Sequence, residues 1–153
     1  MVYHDEYKFP NGSLYKGQIK TVKETKDGSI ITQELKHGYG IQKELSGAIY
    51  EGRFVDDKAC GEGRIWHAKG GIYKGEFKND KANGYGVYNH ENGSKYAGQF
   101  VDDVPEGEGE ELRPNGAMYK GQYRNGLKHG YGIHLWGDKS EYNGNWEDDQ
   151  MTG

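Results

Sequence analysis

One interval governs this chain. Tyr50, Tyr73, Tyr96, Tyr119 and Tyr142 stand 23 residues apart without a slip. A period between about 20 and 50 residues marks an architecture of stacked units. Other columns keep the same phase. Two residues after each tyrosine comes a glycine (Gly52, Gly75, Gly98, Gly121, Gly144), and two further on an aromatic (Phe54, Phe77, Phe100, Tyr123, Trp146). A Gly-x-Gly pair recurs at Gly38/Gly40, Gly61/Gly63, Gly84/Gly86, Gly107/Gly109 and Gly130/Gly132, and another glycine precedes most of the tyrosines by three residues.

Tyrosine, glycine and aromatic at i, i+2 and i+4 follow the two-residue period of a strand, so all three face one side. Polar turn formers follow, such as Asp56-Asp57, Asn79-Asp80 and Asn125-Gly126. The Gly-x-Gly segment then begins a second strand, so each unit is a hairpin. Glycine weakens an ordinary strand, but here it lets a ring from a neighbouring strand lie over bare backbone. The expected fold is all-β: an elongated single-layer antiparallel sheet of tandem hairpins, roughly 50–60 Å long at 9–10 Å per hairpin.

Composition supports a ring-based sheet. Leu, Ile, Val and Phe make up about 16% of the 153 residues, below the roughly 20% at which disorder is suspected. Yet there are 13 tyrosines and the net charge is only −4, so aromatic rings carry the apolar surface. The absence of a long apolar run or an apolar leader at Met1 to Pro10 predicts a soluble intracellular protein. The lone cysteine, Cys60, fits a reducing compartment and a structural role.

The pattern Y-x-G-x-F followed by Gly-x-Gly, from Gly12 to Gly153, resembles the MORN repeat. The resemblance implies an elongated, twisted single-layer sheet. It also implies the settings in which such arrays occur: beside phosphoinositide kinases, in junctional membrane proteins, in histone methyltransferases, and in cytoskeletal and ciliary scaffolds. No kinase or methyltransferase signature accompanies the repeats. On this reading residues 1–14 are a partial leading strand and 15–49 a first repeat with a 12-residue insertion. Regular units follow at 50–72, 73–95, 96–118 and 119–141, with 142–153 a partial one. The insertion, around Asp27-Gly28, is expected to lengthen the first hairpin into a projecting arm. Lys139 replaces a glycine before Tyr142 and is expected to roughen that junction.

Catalytic and cofactor readings fail on spacing. Gly84-Tyr85-Gly86 lacks the rest of a dinucleotide or phosphate loop. His67 and His90 share a column, but columns are two strands apart, too far to close around zinc. Asp56-Asp57, Asp102-Asp103 and Glu147-Asp148-Asp149 lie at turns without the alternating ligand spacing of a calcium loop. A pI near 5.9 with no basic stripe argues against nucleic acid. No enzyme activity, metal or cofactor is expected.

Tyr50, Gly52, Phe54, Tyr73, Gly75, Phe77, Tyr96, Gly98, Phe100, Tyr119, Gly121 and Tyr123 are therefore read as architecture. Binding candidates are large residues at positions the repeat leaves free: Trp66, Tyr88, His90, Leu112, Arg113, His134, Leu135 and Trp136, with Trp146 on the terminal strand. The expected function is a protein-binding scaffold or adaptor in a cytoskeletal, cortical or ciliary assembly. Self-association through the arm or the terminal edge strands is a further expectation. Phosphoinositide headgroups, or a role as the regulatory arm of a longer enzyme, are the alternatives.

Overall fold

The computed structural model describes residues 1–153 as one open sheet of 13 antiparallel strands, each paired with its neighbour in sequence. The strands are β1 (Val2–Lys8), β2 (Leu14–Lys26), β3 (Ser29–Lys43), β4 (Ile49–Val55), β5 (Lys58–Trp66), β6 (Ile72–Lys78), β7 (Lys81–Asn89), β8 (Lys95–Val101), β9 (Val104–Leu112), β10 (Met118–Arg124), β11 (Leu127–Leu135), β12 (Glu141–Glu147) and β13 (Gln150–Met151). Twelve strand spacings of about 4.8 Å give a sheet roughly 58 Å across.

Each hairpin closes on two residues with positive φ, for example Asp56 (45°) and Asp57 (79°), or Asn79 (50°) and Asp80 (71°). Such turns match the twist of the flanking strands, and Asp and Asn tolerate the left-handed region. The second strand begins three residues earlier than the glycine pair suggests, at Lys58 and not Gly61. The pair divides its work. Gly61 has φ +84° and lies where the β4–β5 register shifts between Gly52 and Phe54. Gly63 continues the strand, opposite Gly52 on one side and Gly75 on the other.

Repetition of that pairing draws a transverse row of glycines through the sheet. Gly17, Gly40, Gly52, Gly63, Gly75, Gly86, Gly98, Gly109, Gly121, Gly132 and Gly144 pair in succession from β2 to β12. A Cβ on Gly63 would stand 2.5 Å from the Tyr50 hydroxyl and 2.7 Å from its ring. The covering ring belongs to the preceding strand of the same hairpin, and it also covers Gly52 on its own strand. At Gly75 the nearest obstacle is not a ring at all: Gly86 Cα would lie 2.5 Å away and Tyr85 O 2.6 Å away. The hydroxyls of Tyr15, Tyr50, Tyr73, Tyr96, Tyr119 and Tyr142 each donate to the carbonyl three residues on, at 2.8–3.0 Å.

The core is a single row of rings on this one face. Tyr50 meets Phe54 at 4.9 Å and Phe77 at 5.0 Å, Tyr73 meets Phe77 and Phe100, and the edge-to-face pattern continues through Tyr96, Tyr123, Tyr119 and Trp146. Each such contact contributes about 0.5–1.5 kcal/mol beyond area burial. Burial raises the pKa of the tyrosines in this row, with Tyr15, Tyr73 and Tyr119 pushed up to about 12.

Acidic turn residues clip hairpin to hairpin. Asp80 N–H donates to Ala59 O, and Ala59 N–H donates to Asp80 Oδ1 at 2.7 Å. Asp103 does the same with Ala82, and Asp149 with Lys128. Pro105 has no N–H to donate, and the turn facing it carries Gly126 in place of aspartate; there Glu106 accepts from Asn125 N–H instead, at 2.8 Å.

The insertion lengthens both strands of its hairpin. β2 and β3 have 13 and 15 residues where β4 and β5 have 7 and 9. The base of this arm is tied down by Lys20 on Asp56, 3.1 Å apart, and its tip exposes Ile30 and Ile31. Lys139 takes φ 71° and donates its N–H to Trp136 O at 2.9 Å. Gly116 makes the equivalent bond to Arg113, so the junction keeps its geometry at the cost of a strained lysine.

Candidate functional site

Strand alternation separates the nine candidate residues onto two faces. Tyr88, His90, Arg113, His134, Trp136 and Trp146 lie on the ring face. Trp66, Leu112 and Leu135 lie on the other. They do not form one surface.

On the ring face, an open groove of about 510 Å³ crosses the middle hairpins, lined by Ile65, His67, Tyr73, Phe77, Tyr88, His90, Tyr96 and Phe100, with Asp80 and Asp103 at one rim. Its floor is the ring row. Its wall is made by second-strand residues: Tyr88 stands 5.8 Å from His67 and 4.4 Å from His90, centroid to centroid. The two imidazoles thus flank a tyrosine ring. His67 was legible as His90's column mate, and both line the groove. Tyr88 is opposite Tyr73 on one side and Tyr96 on the other, so its half-buried ring is fixed in place while one side remains open.

Further along the same face, Arg113 pairs with Glu111 at 2.9 Å and Trp136 packs against His134 at 4.4 Å. Two candidates are not free to act as surface anchors. Trp146 is 6% exposed and closes the ring row against Tyr119 and Tyr142. It is the fifth member of the column that begins at Phe54, and that column is core. His134 is also buried, and its pKa is lowered by desolvation and then by Lys128 and Arg113. The edge strand β12 is partly covered, since Gln150 and Met151 pair with Glu147 and Trp146.

The opposite face has a different rhythm. Tyr39, Tyr85 and Tyr131 are more than half exposed, and Glu62 and Glu108 hold the intervening places in the same Gly-x-Gly column. A shallow groove of about 560 Å³ lies between Tyr39 and Tyr85 over the glycine row, edged by Glu51, Glu62, Arg64, Lys74 and Glu76. The guanidinium of Arg64 lies 5.4 Å over the Trp66 ring. This face is charged around its shallow groove, whereas the groove of the ring face is lined mainly by apolar and aromatic side chains.

Lys128 is the residue that inspection of the sequence missed. It is 9% exposed, and its Nζ sits 5.1 Å from the Tyr119 ring and 5.2 Å from the Trp146 ring.

The family model for the MORN repeat matches residues 50–72, 73–95, 96–118, 119–141 and 142–153. No curated protein matches the chain.

Proposed function

The chain belongs to the MORN repeat family, whose repeats generally bind proteins or membranes, and from that premise we propose that it is a non-catalytic scaffold that seats a segment of a protein partner in the ring-face groove. The observation that carries this reading is the groove itself: a rigid apolar floor with Tyr88 held between two imidazoles and open on one side. Aromatic anchors preset on a rigid surface bind at low entropic cost, which is why they dominate interfaces. A peptide or an amphipathic helix suits a groove of this size. The setting we propose is an intracellular cytoskeletal, cortical or ciliary assembly, where an extended rod holds other components at fixed spacing.

Membrane association is the alternative reading. The row of turn aspartates along one long side, Asp57, Asp80, Asp103 and Asp149, disfavours close approach of that side to anionic lipid.

A photo-crosslinking residue placed at His90 or at Leu112, in the cell of origin, distinguishes the two faces. Crosslinks from position 90 to one protein segment, with recovery reduced about 30-fold or more by Tyr88→Ala as for an interface hot spot, support the groove. Crosslinks from position 112 alone, or to lipid alone, overturn it.

A further inference from the structure

The repeat provides its own control. Around Tyr73, the ring face is completed by Phe77, Ala82, Tyr88 and Phe100; 46 residues later, around Tyr119, the same places hold Tyr123, Lys128, His134 and Trp146. Both stretches build the same strands and the same ring contacts. The fold therefore does not require the polar atoms of the second set.

Those atoms have no partners. Tyr123 Oη, His134 Nδ1 and Trp146 Nε1 are buried without a hydrogen bond, and the three side chains are more than nine-tenths buried. Lys128 lies beside them, with its ammonium over the Tyr119 and Trp146 rings. Lys36 occupies the same column 92 residues earlier, but its Nζ is engaged by Gln42 and lies 3.7 Å from Asp57. No carboxylate lies within ion-pair distance of Lys128. Of the acids around it, Glu111 is taken by Arg113 and Asp149 accepts the Lys128 backbone N–H.

Lysine and tryptophan side chains donate and cannot accept. Two unpaired donors in one apolar setting ask for an acceptor from outside. We infer that Lys128 and Trp146, with Tyr123 and His134, form a subsite for the carboxylate of an Asp or Glu side chain on the peptide that occupies the ring-face groove. A carboxylate with a hydrogen bond of about 2.8 Å at each oxygen spans the gap between a cation 5.2 Å from the indole centroid and the N–H on that ring. Continuity with the groove favours a peptide: the groove ends at Tyr96, Phe100 and Pro105, and Tyr96 touches Tyr123 at 5.1 Å. Lys128 is four strands from Tyr88, about 19 Å measured across the sheet, and is also displaced along the strand, so a peptide that reaches both spans at least about six extended residues or about thirteen helical ones. Entry of an anion also offsets the desolvation that disfavours the Lys128 ammonium.

This inference rests on the groove reading, so the test separates them. Random peptides displayed on phage are selected on the full chain, and the enriched peptides are measured on the natural chain, on Lys128→Ala and on Tyr88→Ala. Lys128→Ala introduces the residue already present at Ala59 and Ala82, so the fold is kept. Enriched peptides are expected to carry an acid at a fixed distance from an apolar anchor. Changing that acid to its amide should weaken binding about tenfold on the natural chain and hardly at all on Lys128→Ala. Peptides that need Tyr88 but lack an acid, or whose amide change costs the same on both chains, overturn the carboxylate subsite and leave the groove standing. Binding indifferent to Tyr88 overturns the groove reading. If no peptide is enriched while phosphoinositide vesicles bind in a Lys128-dependent way, the anion is a lipid phosphate and the peptide inference fails; no binding of either kind overturns both.

Discussion

Gly75→Ala adds one methyl group at the centre of the glycine row, and the surroundings set its cost. The new Cβ would lie 2.5 Å from Gly86 Cα, 2.6 Å from Tyr85 O and 2.7 Å from the Tyr73 hydroxyl, all well inside an ordinary contact near 3.5–4.0 Å. Two of the three obstacles are backbone, so β6 and β7 must separate by something approaching an ångström. Overpacking of this kind costs about 1–3 kcal/mol. Displacing the Tyr73 hydroxyl from Glu76 O, now 2.8 Å away, adds about 0.5–1.5 kcal/mol. The expected loss is therefore about 1.5–4.5 kcal/mol, read by urea unfolding followed at the tryptophans and by faster amide exchange in β6 and β7. Gly116→Ala is the comparison: its Cβ meets nothing within 4 Å, and only its φ of +88° opposes the change, so about 1 kcal/mol is expected. Tyr73→Phe in the Gly75→Ala background removes the hydroxyl obstacle but not the backbone ones, and should recover little. Full recovery in that double variant, or a Gly75→Ala chain within about 0.5 kcal/mol of the natural one, would refute the close-approach account.

Two further outcomes follow from features already described. Lys139→Gly relieves a residue at φ 71° and should stabilise the chain by about 1 kcal/mol, seen as a raised Tm; an unchanged or lowered Tm would show that the lysine is not strained. The buried tyrosines hold their protons more tightly folded than unfolded, with Tyr15, Tyr73 and Tyr119 near 12 against an ordinary 10.0. Their contribution to stability is therefore complete below pH 10 and is lost as pH rises from 10 through about 12. Absorbance at 295 nm should show Tyr15, Tyr73 and Tyr119 ionising only as the fold melts, and a midpoint near 10 for these three would contradict their burial.

The hairpins, their phase and the ring row were legible because the strand period of two and the unit period of 23 are both written in side-chain type. Trp146 was legible as core for the same reason: it extends the column of Phe54, Phe77, Phe100 and Tyr123. Reading it as an interface anchor gave the size of the residue more weight than its column. Parity along each strand already separated Trp66, Leu112 and Leu135 from Tyr88 and Trp136. Other features depend on which backbone atoms face each other across strands. The approach of Gly86 to Gly75 and the clip from Asp80 to Ala59 join residues 11 and 21 positions apart, and only the register shift at each hairpin makes them meet. Lys128 was passed over because lysine is almost never buried, and its surroundings come from four different strands.

The exposed column Tyr39, Glu62, Tyr85, Glu108, Tyr131 repeats every 46 residues, whereas the fold repeats every 23. Gene duplication of a single hairpin would thus yield a sheet that folds as well as before but carries two tyrosines or two glutamates side by side, out of step from that point on. Duplication of a hairpin pair preserves both. An array of this kind can lengthen by one unit without harm to its structure, yet it inherits its surface only in twos.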